Sequence, residues 1–200
     1  MHRIYVEKKP TERLEAAALA SELRDVLGLN VGQVRVLNRY DVDGLTDTEF
    51  AAVVPTILSE PPVDVTFSSL DDADLAGHVF AVESLPGQFD QRADSAAQCI
   101  QIQLSGQRPA VRAAKVYAIE ADEAALAAIK GYVINPVEAR EGDLAQPESL
   151  EADVTEPADV VSVELVGATD ADLVALRAEL GLAMSCLLYT SPSPRDATLS

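Results

Sequence analysis

The chain has 200 residues, 48% of them hydrophobic but only 4% aromatic and none of them Trp, so its core must be built from Ala, Val, Leu and Ile. A formal net charge of −18 argues against nucleic acid and anionic membrane as partners, and no run reaches the ~18 apolar residues of a membrane span. Cys99 and Cys186 are the only cysteines and form no CxxC pair, which excludes a disulfide framework and a cysteine-rich zinc site. With no signal-peptide pattern in MHRIYVEKKP, the expected compartment is the cytoplasm.

Residues 3–7 (RIYVE) alternate and are rich in β-formers, which predicts a strand ended by Pro10. Leu14, Ala18, Leu19, Leu23, Val26 and Leu27 recur at helical spacing, with Gly28 as a natural C-cap. A second strand follows at residues 34–40 (VRVLNRY). Thr46 and Glu49 make a capping box ahead of Phe50, Val53, Val54, Ile57 and Leu58, a stripe that Pro55 must kink or split. SEPPVD stops that helix, and a short strand is expected at 63–67. After an acidic loop at 70–74 the order begins again. VFAVE at 79–83 is a strand halted by Pro86-Gly87, and Ala93, Ala96, Ala97, Ile100 and Leu104 mark a helix. Residues 111–119 read as a strand, and Asp122 caps a helix through Leu126 and Ile129 to Gly131.

These elements read as an internal duplication. VEKKP (6–10) matches VESLP (82–86), VRV (34–36) matches AKV (114–116), and Pro62-Val63-Asp64 matches Pro136-Val137-Glu138. Each half is strand, helix, strand, helix, then a Pro-Val-acid turn into a short strand. A half this small buries little surface alone, so two halves are expected to share a sheet. The expected class is α+β, with ferredoxin-like halves around a mixed, largely antiparallel sheet. The first half spans residues 1–76 and the second 77–140. An acidic, proline-containing linker follows at 141–168, with a strand at 160–166. Thr169 caps a last helix carrying Leu173, Leu176 and Leu180 and ended by Gly181.

Little in this pattern points to catalysis. His2 and His78 are the only histidines and read as solvated surface residues; they make no HxH or HExxH spacing. Glycine-rich phosphate loops are absent. Cys99, among Ala96, Ile100 and Leu104, reads as a packed thiol. The richest segment is PGQFDQRADSAAQC (86–99), which gathers Gln88, Asp90, Gln91, Arg92, Asp94 and Gln98 at one turn-to-helix junction. Such groups suit directional hydrogen bonds, and Arg92 can grip a carboxylate in two bonds. A docking surface for another domain and a capped, solvated helix start are the two readings.

RIYVEKKP, VRVLNRYDV, ILSEPPVD, LPGQFDQRADSAAQCIQ, AKVY and AIKGYVINPVEAR together resemble the large, single-chain phosphoribosylformylglycinamidine synthases, the formylglycinamide ribonucleotide amidotransferases of purine biosynthesis. The resemblance covers about residues 3–184, and the blocks at 85–101 and 128–140 are its specific parts. It implies an amino-terminal module made of two copies of the enzyme's small subunit. Residues 169–185 would then start the region leading to the synthetase domains. The family is a C–N ligase that uses ATP, Mg and glutamine to turn the substrate amide into an amidine, with a glutaminase domain supplying ammonia. None of its catalytic, ATP-binding or metal-binding motifs is in this chain, so no cofactor is expected here and the chain alone is expected to be inactive. Its expected partners are the synthetase and glutaminase domains of the parent chain. Gln88, Asp90, Gln91, Arg92, Asp94, Asn135 and Glu138 are the residues assigned to such interfaces. A stand-alone small-molecule-binding regulatory module is the alternative, and a complete small enzyme a weaker one.

The last stretch, CLLYTSPSPRDATLS (186–200), has neither strand nor helix periodicity. Residues 186–196 resemble the translation of a transposon adapter used in sequencing libraries, and Leu199-Ser200 fit its continuation. On this reading the natural reading frame continues past Ser185, Cys99 is the only native thiol, and residues 186–200 carry no designed structure.

Overall fold

The structure, a computed structural model, describes residues 1–150, 159, 162 and 167–181. The chain divides into two compact units, Met1–Ala152 and Asp153–Ser200. In the first unit the order is β1 (His2–Lys8), α1 (Leu14–Asp25), β2 (Val31–Asp43), α2 (Asp47–Val53), β3 (Asp64–Phe67), β4 (His78–Ser84), α3 (Gln91–Leu104), β5 (Ala110–Ala121), α4 (Glu123–Val133) and β6 (Ala139–Gly142). In the second, α5 (Asp170–Leu180) is held by a capping box between Thr169 and Asp172 and closed by Gly181 at φ 63°. The strand expected at 160–166 lies, apart from Ser162, outside the described residues, as do residues 182–200.

The fold is α+β. Six strands form one sheet in the order β3-β1-β2-β5-β4-β6. Each pairing is antiparallel, so the sheet is not mixed. Each half places its first strand in the middle, and the order repeats outward from the β2–β5 contact, as a two-fold axis between those strands would require. The registers match as well. His2 opposes Val42 and His78 opposes Ile119; Ile4 opposes Tyr40 and Phe80 opposes Tyr117. At the turns, Lys9 N donates to Val63 O and Leu85 N donates to Glu138 O, both at short range (2.8 and 2.9 Å).

These registers correct two of the sequence matches. Tyr40 corresponds to Tyr117, so the VRV–AKV match is out of step by three residues. The Pro-Val-acid match slips by one, because Glu138 takes the place of Val63. An odd slip would turn every side chain to the other face of the sheet. Short runs of β-formers match by chance, whereas cross-strand pairing sets the true register.

The same correspondence changes the reading of the histidines. His2 Nε2 is 2.9 Å from Leu45 O, its ring stacks on Phe50 at 4.6 Å, and Nδ1 is 3.7 Å from Asp47 in the first turn of α2. His78 Nε2 is 3.0 Å from Ala121 O and Nδ1 is 3.6 Å from Glu123 in the first turn of α4. They are equivalent tethers between a strand start and a helix start rather than solvated surface groups. Their shared place five residues before the matched Glu-x-x-Pro of each half was the signal that sequence reading passed over.

Pro55 splits its helix as expected. Its missing N–H breaks the α-helical ladder after Val53, and the chain makes one wide π turn, Val54–Leu58, closed by Ser59 N donating to Val54 O at 2.9 Å.

The two faces of the sheet differ. On one, α1 and α4 pack over Val34, Phe80, Tyr117 and Ile119, while α2 and α3 pack over Ile4, Val6, Tyr40 and Val42. The core is aliphatic and alanine-rich, with Ala16, Ala20, Ala93, Ala96 and Ala97 letting the helices approach closely. None of α1–α4 packs on the other face, where a 3-10 turn at Asp71–Ala73 brings in Ala73. Tyr5, Leu37, Ala81 and Val116 form a narrow apolar strip covered by Leu70, Ala73, Leu75 and Leu144. Around it lie buried charges: Arg3, Glu7, Arg35, Arg39, Asp41 and Glu83. Glu7 accepts two bonds from Arg35 (2.9 and 2.6 Å) and one from Arg13 (3.0 Å). Asp41 accepts two from Arg3 (2.5 and 3.0 Å). Such pairs specify register more than they add stability, but a buried charge left without its partner costs about 3–5 kcal/mol.

Gly77, at φ +80°, joins the halves just before β4. A Cβ there would lie 2.3 Å from Ile119 O on β5. Gly77→Ala is therefore expected to lose at least about 2 kcal/mol, from the left-handed backbone and the clash together. Chemical denaturation of the variant beside Gly28→Ala, where φ is +65° but the space is open, separates the two contributions.

Candidate functional site

The segment between β4 and α3 starts with a turn, in which Gly87 takes φ +85° and Gln88 N donates to Leu85 O at 3.0 Å. Asp90 then caps α3: Oδ1 accepts from Ala93 N at 3.0 Å, while Oδ2 accepts from Ala113 N at 3.3 Å on β5. One carboxylate thus starts the helix and fastens it to the sheet. Asp94, one turn on, pairs with Arg108 and accepts from Gln98 Nε2 at 2.7 Å. Asn135 folds its own turn, its Oδ1 accepting from Val137 N at 3.2 Å and its carbonyl from Ala139 N at 2.8 Å.

Four of the seven sequence-assigned residues make side-chain bonds within their own unit: Asp90, Asp94 and Asn135, and Arg92, which reaches Tyr40. Gln88, Gln91, Arg92 and Glu138 are exposed. Gln88 and Glu138 line one shallow cavity with Lys115 and Tyr117. They meet because β6 enters the sheet beside the end of β4, with Ser84 opposite Ala139. Gln91 and Arg92 line a second, larger hollow of about 580 Å³, with Phe89, Ser95 and Cys99. Arg92 Nη1 donates to Tyr40 OH at 3.1 Å. Tyr40, Ile57 and Arg92 also wall a neighbouring cavity of about 400 Å³ that runs over β1 and β2 to Lys8, Glu60 and Asp64. The result is a continuous polar groove over the sheet, with Arg92 at its middle.

Cys99 is exposed, which corrects its reading as a packed thiol. The buried positions of α3 are Ala93, Ala96, Ala97 and Ile100, and Cys99 sits on the shoulder of that stripe, facing the groove. Phe89 is exposed at the groove mouth, an apolar ring without cover. Burial, helped by the negative charge of Glu15, pushes the Tyr117 hydroxyl up to about 12, so it remains a neutral hydrogen-bonding group at physiological pH. The Lys8 ammonium is held above its ordinary range by its bond to Asp64, with burial opposing.

The groove has hydrogen-bonding groups and one exposed aromatic ring. Among the described residues no group of three or more His, Cys, Asp or Glu is placed to hold a metal ion, and no helix is long and apolar enough to cross a membrane. No protein-family model matches the sequence. No curated protein matches it either.

The two kinds of residue separate by experiment. Asp90→Ala removes a cap and a strand tether, and a loss of about 1–2 kcal/mol is expected. Arg92→Ala removes an exposed side chain, and a change within about 0.5 kcal/mol is expected. Urea unfolding followed by circular dichroism checks both. A large loss for Arg92→Ala would make that residue structural rather than part of the groove's free surface.

Proposed function

We propose that this chain is the amino-terminal, duplicated small-subunit-like module of a single-chain formylglycinamide ribonucleotide amidotransferase. Its role is to join other domains rather than to catalyse. The observation that carries the reading is the meeting of the two sequence blocks most specific to that resemblance. Leu85 N donates to Glu138 O at 2.9 Å, which brings the start of LPGQFDQRADSAAQC beside the end of GYVINPVEAR at one end of β4 and β6. Gln88, Gln91, Arg92 and Glu138 point outward there, where core packing does not account for them. The pseudo-two-fold sheet supports the duplicated origin that the family resemblance implies.

On this reading the groove and its neighbouring cavity are docking surfaces for the synthetase and glutaminase domains. Amide side chains and one arginine suit such a surface. They supply directional bonds to backbone and carboxylate groups, and they remain soluble when uncovered. ATP, Mg and glutamine act in those other domains.

Two measurements test this. The source locus, sequenced across codon 185 from a library made without transposon adapters, is expected to continue in frame into ATP-binding and glutaminase motifs. A genomic frame that encodes residues 186–200 and then stops would remove the proposal. The purified chain is expected to form no amidine from formylglycinamide ribonucleotide, ATP and glutamine. Robust turnover by the chain alone would also defeat it.

A further inference from the structure

The face of the sheet opposite α1–α4 carries another cavity, of about 400 Å³, beneath residues 143–147. Four guanidiniums line it: Arg3, Arg39, Arg112 and Arg140. Two carboxylates serve three of them. Asp41 holds Arg3 in two bonds and lies 3.3 Å from Arg39 Nε. Glu83 accepts from Arg140 at 3.0 and 2.8 Å and from Arg39 at 3.4 Å. Gly142 makes room for this arrangement, since a Cβ there would lie within 3.0 Å of the Glu83 side chain.

Arg112 is the fourth. It stands opposite Asp41 across the β2–β5 ladder and has no hydrogen-bond or ion-pair partner among the described residues. The internal symmetry shows why. Glu7 opposes Leu37 and Glu83 opposes Ala114, so Arg35, two residues before Leu37, has Arg112 as its counterpart. Arg35 is fully served, by Glu7 in two bonds and by the carbonyls of Ala73 and Asp74. In the second half the corresponding carboxylate, Glu83, is turned to Arg39 and Arg140. Arg112 therefore keeps an unspent charge at the cavity.

Arg39 adds a second unspent donor. Its side chain is 2% exposed, and its Nε makes no hydrogen bond. Burial, with repulsion from Arg3, pulls the Arg39 pKa below the ordinary arginine range, while Asp41 and Glu83 oppose the shift. Two acidic side chains also line the cavity. Glu141 is drawn away by Lys130 at 2.7 and 2.9 Å, and Asp143 Oδ1 accepts from Ala145 N in its own turn. Counted with Asp41 and Lys130, five cations face four carboxylates, so the local balance is a single positive charge on a protein whose net charge is −18.

We propose that this cavity binds a phosphate group, held by the Arg112 and Arg39 guanidiniums. Planar guanidinium donors match the spacing of phosphate oxygens, and a phosphate would meet Arg112, the guanidinium of the four that no carboxylate among the described residues pairs. The overall acidity of the chain opposes indiscriminate anion capture, so binding is local. The site is separate from the Arg92 groove and stands whether or not the chain belongs to an amidotransferase.

The test uses the full chain. Inorganic phosphate, glycerol phosphate and acetate are titrated at ionic strength held constant with chloride, by calorimetry and by thermal unfolding. Saturable phosphate binding with a rise in Tm is expected, with acetate weaker. Tighter binding of glycerol phosphate would assign the natural ligand to a phosphomonoester, and tighter binding of inorganic phosphate to the free ion; both support the site. Arg112→Gln, at a partly exposed position, is expected to leave the ligand-free Tm unchanged and weaken phosphate about tenfold. Arg112→Lys retains part of the affinity, and Arg108→Gln, outside the cavity, leaves it unchanged. Phosphate binding that does not saturate, or that is unchanged in Arg112→Gln, or acetate that binds as tightly, would overturn the proposal.

Discussion

The antiparallel ladder between β2 and β5 is the interaction on which the rest depends. It runs from Val31 opposite Ala121 to Asp43 opposite Ala110, with one irregularity between Val31 and Val34. Each half alone is a three-stranded sheet with two helices on one side, too small to bury much of its apolar surface. Joining the central-edge strands removes two exposed edges at once and makes one sheet wide enough for four helices. The pairing also gives the two helix-side clusters a common floor, since Tyr40 and Tyr117 project from its two strands on the same face. Gly77 belongs to this constraint, because the chain entering β4 must pass close to the β5 backbone at Ile119.

The second face shows what a sheet does when the four α-helices of its own unit cover only one side. A wholly apolar face would have been left to solvent or to aggregation. Here a narrow apolar strip is flanked by paired charges, and two loops, around residues 70–75 and 143–147, close over it. The arginines serve as fasteners as well as charges. Arg39 Nη1 donates to Asp143 O at 2.6 Å and Arg3 Nη1 to Leu144 O at 2.7 Å, so side chains from the first half pin the segment that leaves the second. The Asp41 bond and charge outweigh burial and raise the Arg3 pKa, and its bond to Glu7 does so for Arg35. Burial is the largest single influence on both Arg3 and Arg39, but Arg39 goes the other way because repulsion from Arg3 adds to it and no short side-chain hydrogen bond offsets it. Equivalent positions in a duplicated fold have thus been filled differently, and the difference falls at Arg112.

The surface block between β4 and α3 mixes two jobs that composition alone cannot tell apart. Asp90 and Asp94 look like binding residues beside Arg92, yet both are spent on the helix and its neighbours. Gln88, Gln91, Arg92 and Glu138 are the ones left facing outward. Helix starts use short acidic side chains because these reach the free backbone N–H groups, so acidic residues near a first turn are first accounted for by the helix itself.

Much of the architecture was legible in the sequence. The alternation of RIYVE and VFAVE, the capping box at Thr46, the cap at Thr169 and the split at Pro55 follow from local chemistry: side-chain period, hydrogen bonds to nearby backbone, and a missing N–H; the duplication shows in the repeated order of these elements. Such local effects act over a few residues and leave their mark in the order of amino acids. The register between the halves, the tethering roles of His2 and His78, the exposure of Cys99, and the gathering of Arg3, Arg39, Arg112 and Arg140 were decided only by the tertiary structure. Their partners are far away in sequence, and a shift of one or three residues in strand pairing would have changed which face each side chain occupies. Local chemistry selects the elements; which charges meet beneath residues 143–147 depends on long-range pairing that no local pattern records.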